Sequence, residues 1–94
     1  MTLPHTPSFA LHGKRALVTG GSKGLGFACA VALAAAGAEV WIAARSREAL
    51  QHAVALAAEE HLTLHPLALD ITDTGRVQET LAQLPALDIL VNSA

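Results

Sequence analysis

The 94-residue sequence is 52% hydrophobic and only 15% charged, with a formal net charge of −2, where soluble proteins average about 25% charged residues; that length holds one globular unit and no second domain. Six basic against eight acidic side chains, with no run of Lys and Arg, exclude the electrostatic footprint of a nucleic-acid binder. The longest apolar stretch, 27–38, contains Gly37 and falls short of the roughly 20 residues that a membrane-spanning helix needs, so neither nucleic acid nor a membrane is expected as a partner. The first ten residues carry no Lys or Arg and no long apolar core, unlike a secretory signal. Cys29 is the single cysteine and has no internal disulfide partner, which agrees with a reducing, cytoplasmic location.

Residues 1–13 read as a polar lead-in with Pro4 and Pro7, and the folded unit is expected over 14–94. Arg15–Thr19 is a short apolar run that stops at Gly20-Gly21, the pattern of a buried parallel strand entering a loop. A helix is predicted over 24–36, apolar nearly all round and therefore buried on most of its surface, with Gly37 at the position where a C-terminal cap needs a positive φ. Cys29, in the middle of it, is expected to be a small core hydrophobe.

Glu39–Ala44 (EVWIAA) is the second predicted strand. Ser46 then caps a helix with Glu48 in its first turn and with Leu50, Ala53 or Val54, and Ala57 on one stripe. The third strand, 63–69, contains Pro66 and is placed at a sheet edge, where a missing donor is tolerated. Thr72 or Asp73 caps a third helix carrying Val77, Leu81 and Leu84, which Pro85 closes. The fourth strand is predicted over 87–91, with Asp88 lacking a recognisable partner. Strands alternating with helices in the order βαβαβαβ predict an α/β fold with a parallel sheet and right-handed crossovers.

Between the first strand and the first helix lies Thr19-Gly20-Gly21-Ser22-Lys23-Gly24-Leu25-Gly26. A helix start offers free N–H groups and the positive end of the macrodipole to a phosphate, and backbone approaches closely only where no Cβ intervenes. Gly20 is assigned the tight turn, Gly24 the close approach and Gly26 the packing of the helix on the sheet. A glycine-rich turn can also be a plain connection, but this one follows a buried strand, opens an Ala-rich helix and begins a βαβ unit. The phosphate loop G-x4-G-K-[ST] is not met, because Lys23 precedes Gly24 and Leu25 follows it.

TGGSKGLG after ALV, Asp70 in LALDIT, and Asn92-Ser93-Ala94 after LDILV resemble, in order and spacing, segments of the short-chain dehydrogenase/reductases, from about Leu11 to Ala94. The resemblance implies a Rossmann-like, doubly wound sheet with strand order 3-2-1-4, the first two helices on one face and the third on the other. It also implies pyrophosphate binding by Gly20, Gly24 and Gly26, an adenine contact from Asp70, and Asn92 beside the nicotinamide ribose. Ser93 stands where the family has a second Asn.

Loop and resemblance together give an expected cofactor-binding set of Thr19, Gly20, Ser22, Lys23, Gly24, Leu25, Gly26, Arg45, Asp70, Ile71, Asn92, Ser93 and Ala94. The end of the second strand carries Ala44 where an acid would recognise the ribose 2′-hydroxyl of NAD. Arg45 follows at once, and Lys23 precedes the second motif glycine. Two cations there favour NADP(H) over NAD(H), by pairing with the extra phosphate, although Arg45 is also readable as a solvated strand-end charge. His61 and His65 are four apart, but Pro66 and the strand pattern argue against a shared helical face for a metal. Asp73 reads as a cap.

The family's hydride transfer relies on a Ser and a Tyr-x-x-x-Lys unit downstream of the Asn segment. This sequence contains no Tyr, so no catalytic residue is assigned. The expectation is the NADP(H)-binding portion of an oxidoreductase that interconverts a small carbonyl and an alcohol, truncated after the fourth strand. Such a half leaves that strand as an apolar edge and should self-associate or require a complementing chain. The alternatives are a non-catalytic nucleotide-binding module and an inactive relic.

Overall fold

Short apolar strands seek full backbone pairing, and in the computed structural model, which describes residues 10–70 and 72–93, four of them pair in parallel. The elements are β1 (Arg15–Thr19), α1 (Gly24–Ala35), β2 (Glu39–Ala44), α2 (Arg47–Glu59), β3 (Leu64–Ala68), α3 (Thr74–Gln83) and β4 (Ile89–Asn92). The sheet order is β3-β2-β1-β4, the doubly wound order expected of an α/β Rossmann-like fold. Pro66 lies on edge strand β3. The lead-in through Phe9, and Ile71 and Ala94 of the expected cofactor set, lie outside the described residues.

Successive strand residues face opposite sides of the sheet. Ala16, Val18, Val40, Ile42 and Leu64 form one buried cluster with Ala30 of α1 and Leu50, Ala53 and Ala57 of α2. Both helices therefore cover the same face. On the other face Leu17 is flanked in register by Trp41 and Leu90. The chain reverses its direction of travel across the sheet between β3 and β4, so a right-handed crossover carries α3 over this second face. The cover is thin: α3 has no buried residue, and Leu90 is 64% exposed.

Two expectations about α1 need correction. It is apolar all round, yet only Gly26 and Ala30 are buried, Leu25 is 77% exposed, and Cys29 is only half-buried. A helix lying on one sheet buries the stripe facing the strands and no more, whatever the chemistry of its far side. The helix does end as expected, in a two-bond glycine cap: the Gly37 N–H donates to Ala34 O at 3.0 Å and the Ala38 N–H to Leu33 O at 3.1 Å, with Gly37 at φ +103°.

Ser46 Oγ accepts from the Ala49 N–H at 3.1 Å. Of the two candidate caps for α3 it is Asp73 that serves, its Oδ1 accepting from the Arg76 N–H at 3.2 Å. Asp88 precedes β4 and does have a partner: the Arg15 N–H donates to its Oδ2 at 2.9 Å and its own N–H donates to Arg15 O at 2.8 Å. This pair extends the β1–β4 ladder below Ile89. At the same end of the sheet Glu39 receives Arg15 Nε at 3.2 Å and lies 3.3 Å from His65 Nε2. His61 sits in the turn after α2 and His65 in β3, so the two imidazoles share no helical face.

The core cluster and the thinly covered face should separate in mutagenesis. Ile42→Ala removes a fully buried side chain and is expected to cost about 3 kcal/mol. Leu81→Ala, on a helix without buried residues, is expected to cost under about 1 kcal/mol. Urea unfolding of the two variants against the parent checks both.

Candidate functional site

At the C-terminal end of the strands, β1 turns into α1, β2 turns into α2, and the chain leaving β3 passes nearby. In doubly wound sheets the crevice outside these strand ends is where ligands bind. A cleft of about 620 Å³ opens here. Gly20, Ser22 and Lys23 line it from the first turn; Ala43, Ala44, Arg45, Ser46 and Ala49 from the end of β2 and the start of α2; Leu69, Asp70 and Thr72 from beyond β3; and Ser93 from beyond β4.

Of the residues expected at the cofactor, Gly20, Ser22, Lys23, Arg45, Asp70 and Ser93 therefore meet in one cleft, whereas Thr19, Gly24, Leu25, Gly26 and Asn92 stand around it without lining it. Sequence reasoning did not place Ser46, Ala49, Leu69 or Thr72 there. Ser46 was legible only as a cap, and small residues such as Ala49 carry no signal for a cleft wall.

The glycine loop has three distinct physical demands. Gly20 and Gly24 sit at φ +68° and +62°, a region that costs an L side chain about 1 kcal/mol or more. A Cβ on Gly26 would run into the Gly20 carbonyl and the Ser93 hydroxyl, so α1 approaches the end of β1 more closely than alanine allows. Gly21, to which the spacing gave no part, is equally confined: a Cβ there would lie 2.7 Å from Ile42 Cγ2. Over Gly24, in contrast, a Cβ would meet nothing within 4 Å.

Lys23 is the N-cap of α1 without any side-chain capping bond, and the first turn contains no acid. Its leading N–H groups and the positive end of the helix are therefore left for an outside acceptor. A helix start bare of capping groups, open space over Gly24, and Lys23 and Arg45 along one cleft fit the phosphates of a dinucleotide.

Beside the loop, the Thr19 hydroxyl donates to Asn92 Oδ1 at 3.0 Å and lies 3.3 Å from Val91 O. Holding the amide oxygen in this way leaves the Asn92 NH₂ as a donor. Ser93 bonds back to β1, its hydroxyl donating to Thr19 O at 2.6 Å and its N–H to the same oxygen at 3.3 Å. The ends of β1 and β4 are thus pinned to each other next to Gly26.

Across the cleft Asp70 Oδ1 accepts from the Thr72 hydroxyl at 2.7 Å and from the Thr72 N–H at 2.9 Å. These two bonds, hydroxyl first, hold the Asp70 carboxyl below the usual carboxylate range; the slight burial of the group opposes them, and the Arg45 charge adds a smaller effect in their direction. Because the donors favour the ionised form, what they contribute is present above the ordinary Asp range and is lost as pH falls through the depressed midpoint.

An NMR titration of the Asp70 carboxyl carbon is therefore expected to show a midpoint below that of an unstructured Asp, and Thr72→Val should move it upward. In the loop, Gly26→Ala should cost about 1–3 kcal/mol through overpacking against the Gly20 carbonyl, read as a lowered Tm.

Comparison with known proteins agrees with the geometry. The short chain dehydrogenase family model matches residues 14–94. L-xylulose reductase of Mus musculus is 39% identical over 84 residues, which cover 89% of this chain and 33% of that protein. Among solved structures, 2-keto-3-deoxy-D-gluconate dehydrogenase from Streptococcus agalactiae superposes with a TM-score of 0.81 at 33% identity, covering 94% of this chain and 35% of that one. The Pseudomonas aeruginosa RhlG/NADP active-site complex superposes with a TM-score of 0.80 at 39% identity, covering 94% and 37%. The chain thus spans about a third of the length of these relatives. With its glycine loop, its strand order and a family match running from Lys14 to the last residue, the chain belongs to the short-chain dehydrogenases.

Proposed function

We propose that this chain is the NADP(H)-binding portion of an oxidoreductase that interconverts a carbonyl and an alcohol. The observation that carries the cofactor choice is the pair of cations on the cleft: Arg45 at the end of β2, directly after Ala44, and Lys23 at the start of α1. No acid stands at the end of β2 to accept bonds from a ribose 2′-hydroxyl. A 2′-phosphate there would meet a guanidinium fork and an ammonium. The similarity to a protein solved with NADP supports the same reading.

In this proposal the cofactor, when bound, supplies the hydride. The chain's own residues hold and orient it. The first turn of α1 takes the pyrophosphate through backbone N–H groups, with Gly24 leaving room for it. Asp70, kept ionised by Thr72, accepts from the adenine amino group. Asn92, its amide fixed by Thr19, presents its NH₂ toward the nicotinamide ribose. Leu25, Ile71 and Ala94 complete the contacts of the expected set. The proton-transferring groups and the substrate pocket belong to further polypeptide, because no Tyr is present in this sequence.

That further polypeptide, in the same chain or in a complementing one, also covers Leu90 and the free edge of β4 in this proposal. Edge strands and exposed apolar faces favour such cover. The exposure of Leu90, 64% on the face that it shares with Leu17 and Trp41, is the observation that favours it over a self-sufficient binding module.

Titration of the protein with NADPH and NADH, followed by nucleotide fluorescence, tests the cofactor assignment. NADPH is expected to bind at least tenfold more tightly. Arg45→Asp should reverse the order, because a carboxylate repels the 2′-phosphate and accepts from a 2′-hydroxyl. Preference for NADH by the unmodified protein would overturn the assignment.

A further inference from the structure

We draw no further inference here: the strongest candidate, the apolar outer face of α1, on which Leu25 is 77% exposed beside small residues and the half-buried Cys29, carries nothing, because no observation in the structure shows what covers it.

Discussion

The contact between Gly26 and the Gly20 carbonyl governs the rest of this molecule. A helix can start within a single residue's width of a strand end only if the residue at the crossing has no side chain, and a Cβ on Gly26 would overlap that carbonyl and the Ser93 hydroxyl. With α1 held so close, its first turn opens onto the strand ends instead of being displaced away from them. The Gly20 N–H, bonded to Ala43 O at 2.8 Å, ties the same loop to β2, and Ser93 ties it to β4 through Thr19 O. Three strand ends and a helix start thus meet within one short loop, and the cleft is the space left between them.

Electrostatics at that cleft is built from few charges. Lys23 and Arg45 approach it from the loop and from β2, and Asp70 faces them from beyond β3. In a chain with a net charge of only −2 and few charged residues, this concentration is local, not a consequence of overall composition. Thr72 donates to Asp70 twice and the Arg45 charge acts on it in the same direction, so the cleft offers an ionised acceptor together with cations. Such a lining suits a ligand that carries both an amino group and phosphates.

The two faces of the sheet differ in a way that follows from topology. β1, β2 and β3 are laid down in one direction, so α1 and α2 fall on one face and build the buried cluster around Val18, Ile42 and Leu50. Only the single crossover from β3 back to β4 serves the second face. Leu17 is nevertheless almost wholly buried there, because it lies on an inner strand between Trp41 and Leu90. Leu90 itself, on the edge strand, has neighbours on one side alone.

Much of this was legible from residues 10–93 as a string. Alternation of short apolar runs with stretches of helical periodicity determined the order of elements, Ser46 and Gly37 marked where helices begin and end, Pro66 pointed to an edge position for β3, and the glycine spacing located the loop. These are local properties, decided by backbone sterics and by hydrogen bonds between residues close in sequence. What only the tertiary structure decided depends on distance across the fold. The partner of Asp88 lies 73 positions away on Arg15, the confinement of Gly21 comes from Ile42, and the exposure of α1 depends on how many layers cover it and not on its own composition. Ser46 shows the division within one residue: its cap is a bond to Ala49, three positions on, and was readable, whereas its place on the cleft beside Lys23 exists only because parallel pairing of β1 with β2 brings two separate turns to the same end of the sheet.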